Sequence, residues 1–480
     1  MTTFPDKFLR LGFFLAGDVI AGGEVAEVRS PYDGEVVGST YLASASQVEL
    51  AIAAASRAFL VTRKMAAYER SRILQTVSAE IARRRDEFAL LLALEAGKPL
   101  KAGRAEVDRA IFTFHLAGEE ASRVYGEYMP LDRQPATASR WGLVRRFPVG
   151  PVAAITPFNF PLNLVAHKLA PAIACGCPVV LKPAPQTPLT ALLLAEIIAG
   201  AGWPTGALSV LPLSNENAGL LVGEERFNLL SFTGSAAVGW GLKARAGKQK
   251  VALELGGNGG VIIHSDANIE FAAERCVAGG FGFAGQSCIS VQRVLVQSSV
   301  MEKFLAAFIP AVRRLKCGDP RDEEVDVGPM IRRTDAERAE QWVAEAVSGG
   351  ARLLCGGSRT ESVMQPVVLT GTRPEMRVNC EEIFAPVVTV ESYENFSAAI
   401  ARLNDSRYGL QAGLFTRDAR LIFQAYEELD VGGVMVGEVP TFRADEMPYG
   451  GVKDSGLGRE GVRYAMQEMS ERKILVMNLG

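Results

Sequence analysis

The chain has 480 residues, 51 Lys and Arg against 54 Asp and Glu, and a formal net charge of −3. A hydrophobic share of 48% with 22% charged residues excludes disorder, collagen and coiled coil. The near-neutral balance lacks the basic footprint of a nucleic-acid binder. That length predicts about two to four domains or one large α/β enzyme. Seven cysteines (Cys175, Cys177, Cys276, Cys288, Cys317, Cys355, Cys380), odd in number and thinly spread, argue against a disulfide scaffold and for a reducing, cytoplasmic compartment. With only His115, His167 and His264, and no CxxC, no metal site is expected.

Near the start, Lys7 and Arg10 precede an apolar run from Leu11 to Gly17 that imitates a signal-peptide core, but it is too short and Asp18 interrupts it. The stretch from Leu164 to Leu181 contains His167, Lys168, Pro171 and Pro178, which a clean membrane span would not tolerate. The expectation is a soluble protein with no membrane partner. The first third reads as helical. Ser46-Gln-Val-Glu49 has the form of a capping box opening an Ala-rich helix through Phe59. Ile73, Val77 and Ile81 recur at helical spacing, and the pattern runs to Leu94 before Gly97 and Pro99 stop it. A further helix is predicted around Glu106–Ser122, carrying Arg109.

From residue 150 short apolar runs alternate with helical stretches: Val152–Ile155, Val179–Leu181, Leu208–Leu211, Leu229–Phe232 and Val251–Leu255. Such spacing predicts βαβ units and a parallel sheet buried on both faces. A second series follows at Val261–Ile263, Val294–Val296, Val387–Val390, Leu414–Thr416 and Val434–Val436, which places a join between two α/β units near 255–260. Lys473-Ile-Leu-Val-Met477 reads as a strand with no partner nearby in sequence. It either pairs with another subunit or forms an edge of its own unit.

Four stretches carry chemistry. Thr156-Pro-Phe158-Asn159-Phe-Pro161 follows a strand directly, where ligands gather in open α/β sheets. Asn159 could donate to a developing oxyanion, or serve only as a turn residue between prolines. Phe232-Thr-Gly234-Ser235 passes from a strand into a helix start, a setting that suits a pyrophosphate. Glu254, ahead of Leu-Gly-Gly-Asn258, is a strand-end carboxylate that could act as general base, or be an ordinary solvated Glu. Cys288, in Gly285-Gln-Ser287-Cys-Ile289-Ser290, sits in a turn that exposes a sulfur and offers backbone N–H groups. The other six cysteines read as small buried hydrophobes.

Together with Leu181-Lys182-Pro-Ala-Pro185-Gln-Thr-Pro188, Glu381-Glu382-Ile-Phe384-Ala-Pro386 and Met447-Pro-Tyr-Gly-Gly-Val-Lys-Asp-Ser-Gly456, these stretches run in the order of the NAD(P)-dependent aldehyde dehydrogenases, which the chain closely resembles over nearly its whole length. The resemblance implies an α/β fold with a Rossmann-like cofactor-binding domain (1–129 and 148–257), an α/β catalytic domain (258–469) and a small β oligomerisation element (130–147 and 470–480). It implies a homodimer or homotetramer. Cys288 matches the nucleophile, Asn159 and the Cys288 N–H the oxyanion hole, and Glu254 the base that hydrolyses a thioester. Lys182, Gly234, Ser235, Glu382 and Phe384 match cofactor-binding positions, with Thr156 and Phe158 beside them.

Where the family often has Lys-Pro-Ser/Ala-Glu, this chain has Lys182-Pro-Ala-Pro185. The implied cofactor is NAD, but Pro185 supplies no carboxylate against a 2′-phosphate, so NADP stays open. Val439-Pro-Thr-Phe442-Arg443 is most similar to the lactaldehyde, non-phosphorylating glyceraldehyde-3-phosphate and phosphonoacetaldehyde branch, which implies a small polar or anionic aldehyde. Arg109 and Arg443 are candidate anchors for its anionic group, or solvated surface arginines. Ser287, Ile289 and Phe442 are candidate lining residues. A coenzyme A-acylating semialdehyde dehydrogenase and a catalytically silent protein on the same fold are the alternatives.

Overall fold

A computed structural model describes residues 11–479. Its largest sheet has eight strands, and at its centre lie five parallel ones: Leu208–Val210, Val179–Lys182, Val152–Ile155, Leu229–Thr233 and Lys250–Glu254, in that spatial order. The first strand in sequence, Val152–Ile155, is therefore in the middle. The chain winds outward on one side through Val179 and Leu208, then on the other through Leu229 and Lys250. The point where the winding reverses opens a crevice beyond the carboxyl ends of Val152–Ile155 and Leu229–Thr233. Every residue of Val152–Ile155 and Val179–Lys182 is buried, as continuous apolar runs in a two-sided sheet require.

The second sheet has seven strands, in the order Arg352–Cys355, Val367–Thr370, Val387–Tyr393, Val291–Gln297, Gly259–Ile263, Gln411–Phe415 and Gly433–Val436. Only Arg352–Cys355 is antiparallel to its neighbour. Glu254 ends the last parallel strand of the first sheet, and Gly259 opens the first strand of the second. The two sheets thus face each other across the Leu255–Asn258 connection. A short strand near the C-terminus, Gly456–Leu457, returns to pair with Lys250–Glu254.

Several elements differ from the sequence reading. The Ala-rich helix spans Ala45–Thr62, and its capping box is Ser44 with Gln47 rather than Ser46 with Glu49. Ser44 has extended backbone angles, its Oγ accepts from the Gln47 N–H, and Gln47 Oε1 accepts from the Ser44 N–H. The next pattern is two helices, Ala67–Arg83 and Arg85–Ala96, because Arg84 leaves helical geometry at φ −104° and ψ 21°. The Arg109 helix starts earlier than predicted, at Leu100, directly after Pro99. The apolar run at Leu11 contains a strand: Phe13–Leu15 pairs with Asp18–Ile20 and with Leu208–Val210. Ala16 and Gly17, both at positive φ, make the tight turn. Lys7 and Arg10 lie outside the described residues. Val25–Arg29 and Val36–Tyr41 form a further antiparallel pair in a region read as helical.

The terminal strand, Ser470–Asn478, is not unpaired. It runs antiparallel to Arg140–Pro148, from Ser470 opposite Pro148 to Asn478 opposite Arg140, and Glu127–Pro130 completes a three-stranded sheet. Its outer edge stays open, with Ile474, Leu475, Val476 and Leu479 exposed. Among the described residues no helix is long and apolar enough to cross a membrane. All seven cysteines are free thiols, but of the six read as buried hydrophobes only Cys177 and Cys276 are fully buried.

Candidate active site

A cavity of about 530 Å³ lies between the two sheets. Its floor and walls come from loops that close on each other by hydrogen bonds. The Gly234 N–H donates to the Glu254 carbonyl at 3.0 Å, the Leu255 N–H to the Ser455 carbonyl at 2.9 Å, and Ser455 Oγ to the Gly256 carbonyl at 2.7 Å. The last two tie the glycine-rich Met447–Gly456 stretch to the loop after Glu254.

Cys288 precedes the strand Val291–Gln297, so it sits at the amino end of a strand of the second sheet and faces the carboxyl ends of the first. Phe283, Ala284 and Gly285 all have left-handed φ, of 49°, 53° and 69°. Two of the three are not glycine, which marks backbone held under strain next to a functional turn. The Gln286 side chain, fully buried, holds the turn: its Oε1 accepts from the Ile331 N–H at 2.8 Å, and its Nε2 donates to the carbonyls of Phe283 and Pro329. The Cys288 sulfur lies 2.9 Å from the Tyr449 hydroxyl. Burial pushes the thiol up to about 12, and the Tyr449 hydrogen bond pulls against that shift.

Asn159 follows the strand Val152–Ile155 and is nearly fully buried. One N–H of its side-chain amide donates to the Gln286 carbonyl at 3.0 Å, which leaves the second N–H of that nitrogen for another acceptor. The loop is fixed from beneath by a buried ion pair that sequence reading passed over. Lys98 Nζ donates to the Asn159 carbonyl at 2.8 Å and contacts the Glu106 carboxylate, and it lies 3.8 Å from the centre of the Phe160 ring. Glu106 in turn accepts from the N–H groups of Leu162 and Asn163, at the start of the helix Asn163–Cys175. Read in sequence, Lys98 lay between two helix-stop signals and carried no mark of this role.

Glu254 is buried, and its Oε2 has no hydrogen-bond partner. Burial, reinforced by the nearby Glu460 carboxylate, raises its carboxyl well above the usual range. Such a group is a proton acceptor suited to near-neutral or alkaline pH.

A second group of residues lies toward the crevice of the first sheet. Gly234 and Ser235 lead into the helix Ala236–Arg245, whose start carries no side-chain cap. Its first N–H groups are therefore open to an anion. Phe158 meets Phe384 edge-on, with ring centres 6.0 Å apart. The Glu382 carboxylate accepts from the Gly257 N–H at 2.9 Å and lies so close over Gly256 that any Cβ there would collide with it. Burial pushes Glu382 up to about 7. Thr156 and Lys182 end adjacent strands, joined by a 3.1 Å bond from the Thr156 N–H to the Lys182 carbonyl, and neither lines the cavity itself. Lys182 is only 6% exposed. Its ammonium has no partner among the described residues, and burial pushes it down to about 8. A buried cation without a partner, an uncapped helix start and a carboxylate over a glycine pair fit the ribose and pyrophosphate groups of a dinucleotide.

Of the proposed lining residues, Arg109, Ser287, Ile289 and Arg443 reach the cavity. Phe442 does not. Its N–H bonds back to the Val439 carbonyl, its carbonyl accepts from Gln411 Nε2, and the turn leaves its ring 47% exposed. Arg443 is no surface arginine: it is buried, 2.9 Å from Glu460, with its guanidinium 3.7 Å from the centre of the Tyr449 ring. Its Nε is buried without an acceptor. Glu460 also faces Lys168 at 3.4 Å. Arg109 is half-buried and paired with Asp445, which also accepts from His167 Nε2 at 2.8 Å.

The model of the aldehyde dehydrogenase family matches residues 20–475, and the chain belongs to that family of NAD(P)-dependent oxidoreductases acting on an aldehyde group. The chain is similar to the 3-sulfolactaldehyde dehydrogenase of Priestia aryabhattai, at 42% identity over 469 residues and 98% of each chain. Among solved structures, aldehyde dehydrogenase 21 of Physcomitrella patens, in complex with the reaction product succinate, superposes with a TM-score of 0.97 and 45% identity, over 98% of this chain and 99% of that one. The glyceraldehyde-3-phosphate dehydrogenase GapN of Methanocaldococcus jannaschii, complexed with NADP, gives 0.92 and 38%, over 95% and 100%.

Proposed function

We propose that this protein oxidises a small polar or anionic aldehyde to its carboxylic acid, with Cys288 as nucleophile, Glu254 as base and Asn159 as oxyanion donor. The observation that carries the reading is that these three side chains, from three segments far apart in sequence, line one cavity. The Cys288 sulfur gives up its proton to water and attacks the aldehyde carbon, so a C–S bond forms as the carbonyl π pair moves onto oxygen. The free N–H of Asn159 Nδ2 and the Cys288 N–H, which has no acceptor among the described residues, hold that oxyanion. Lys182, Gly234, Ser235, Glu382 and Phe384, with Thr156 and Phe158 beside them, would hold NAD or NADP, which would supply the hydride acceptor; loss of hydride from the adduct carbon leaves a thioester on Cys288. Glu254 then takes a proton from water, the hydroxide adds to the acyl carbon, and the C–S bond breaks to release the acid and restore Cys288.

The substrate class rests on Arg109 and Arg443, two cations in the wall of the cavity. Each keeps guanidinium N–H donors beyond those its carboxylate partner uses. The sulfolactaldehyde relative and the succinate complex point to the same class. NAD is the proposed cofactor; Pro185 offers nothing against a 2′-phosphate, so NADP is usable too. Glu254 favours water over coenzyme A as the acyl acceptor.

We assign residues 1–129 and 148–257 to cofactor binding, 258–469 to catalysis, and 130–147 with 470–480 to assembly. The open edge of Ser470–Asn478 supports a homodimer or homotetramer, and the free thiols support a cytoplasmic site. The test is the rate of cofactor reduction with lactaldehyde, glyceraldehyde 3-phosphate, phosphonoacetaldehyde, succinic semialdehyde and an unsubstituted aliphatic aldehyde, each with NAD and with NADP, with and without coenzyme A. A rate with an anionic aldehyde, independent of coenzyme A, is expected. Rates only with the aliphatic aldehyde, or only with coenzyme A, would overturn the substrate or the acceptor.

A further inference from the structure

Tyr449 has no part in the reading above, yet it touches the reacting sulfur. Its hydroxyl is 2.9 Å from Cys288 Sγ, which is its one hydrogen-bond partner among the described residues, and the residue is 2% exposed. The residue is held through its backbone and its ring. Its backbone N–H donates to the Glu460 carbonyl at 3.0 Å, the Glu460 N–H donates back at 2.6 Å, and the Arg443 guanidinium lies over the ring and pairs with the Glu460 carboxylate. Gly450, the next residue, is where any Cβ would come within 2.8 Å of Glu254 Oε1. One short segment therefore meets both the nucleophile and the base.

The direction of the Tyr449 hydrogen bond follows from acidity. A thiol is ordinarily a stronger acid than a phenol, so once the pair has lost one proton, the charge resides on sulfur and the phenol keeps its hydrogen. A bond from a neutral donor to a charged acceptor is among the stronger ones.

Resting on the assignment of Cys288 as nucleophile, we propose that Tyr449 is a catalytic residue whose O–H donates to the Cys288 thiolate in both halves of the reaction. Before attack it raises the fraction of sulfur that is ionised, the thiol proton having gone to water. When the C–S bond forms, the sulfur loses its charge and the bond weakens. When hydrolysis breaks the C–S bond, the electron pair returns to sulfur and the same O–H receives it, which makes the thiolate a better leaving group. Tyr449 keeps its proton throughout. Burial drives the thiol up, and the Tyr449 hydroxyl opposes that drive, in line with this role.

The experiment is alkylation of the intact protein by iodoacetamide, followed at Cys288 by peptide mass mapping from pH 6 to 10, with Cys288→Ala as the blank. Losing one charge-assisted hydrogen bond moves a thiol by about one to two pH units. Because intrinsic nucleophilicity rises as thiolate fraction falls, Tyr449→Phe is expected to be alkylated about 3- to 10-fold more slowly near neutral pH. Turnover should fall with it, while cofactor binding stays intact. Alkylation at the wild-type rate or faster would overturn the proposal. If Tyr449→Phe does not fold, 3-fluorotyrosine placed at position 449 keeps the shape and makes a stronger donor. Faster alkylation supports the proposal, and an unchanged rate overturns it. Turnover by Cys288→Ala would defeat the underlying assignment. An inactive Cys288→Ala beside an unaltered Tyr449→Phe would defeat this inference alone.

Discussion

Arg109 and Asp445, 336 positions apart in sequence, form a two-pronged ion pair at the cavity wall, with Nη2 to Oδ1 at 2.6 Å and Nε to Oδ2 at 3.3 Å. Burial works against the Asp445 charge, yet His167 and Arg109 hold the carboxyl below its usual range. Asp445 thus orients Arg109 and leaves its remaining donors to face the cavity. Arg109→Gln is expected to raise KM for an anionic aldehyde about 10- to 100-fold, the worth of one charge-assisted contact. For an uncharged aldehyde of similar size the change should be small. Equal effects on both substrates in steady-state assays would remove Arg109 as an anchor.

Glu254 predicts the pH dependence. Burial, reinforced by Glu460, raises its carboxyl well above the usual range, so the base form appears at higher pH than for an ordinary carboxylate and grows as pH rises. Turnover should therefore still be increasing with pH above the usual carboxylate range when thioester hydrolysis limits the rate. Glu254→Gln should lose that dependence and about 10²- to 10⁴-fold in kcat. A variant retaining wild-type kcat would exclude Glu254 as the base.

Glu460 bears on stability. Burial opposes its charge, but Lys168 and Arg443 outweigh it and hold the carboxyl below the usual range. A depressed carboxylate contributes stability that is present above its unfolded value, roughly 4.3, and is lost as pH falls below that. Glu460→Gln leaves two buried cations unpaired and should cost about 3–5 kcal/mol. It should lower Tm at pH 7 and flatten the acid limb of the Tm–pH curve; an unchanged Tm would contradict the account of the network.

The cofactor site gives a gain-of-selectivity test. Pro185 is exposed just beyond the buried, unpaired Lys182. Pro185→Glu places a carboxylate beside the ribose end of the proposed site, and should raise the Kd for NADP about 10-fold or more with little effect on NAD, since like charges repel. Lys182→Met should weaken both cofactors. Fluorescence titration of the two variants checks both expectations.

The strands at Val152–Ile155 and Val179–Lys182 were legible because burial on both faces demands unbroken apolar residues, and the motif-bearing turns follow such strands in register. The partner of Ser470–Asn478 was legible only through the family resemblance, which groups 130–147 with 470–480; its pairing with Arg140–Pro148 spans most of the chain and leaves no local pattern. The buried charges were not legible either. Arg443, Lys168, Glu460 and the Lys98–Glu106 pair are buried and look in sequence like any solvated charge. Only the fold shows that each has an opposite charge facing it. Of the neighbours Phe442 and Arg443, both expected at the cavity, only Arg443 reaches it, because a turn decides which of the two faces inward.

The central claim is the covalent route through Cys288, and trapping the acyl-enzyme tests it most directly. Glu254→Gln mixed with the best aldehyde and cofactor, then quenched and weighed intact, should show one equivalent of reduced cofactor per active site. It should also gain one acyl group in mass, mapping to the Cys288 peptide. Reduced cofactor without an adduct at Cys288, or continued turnover with no burst, would contradict it.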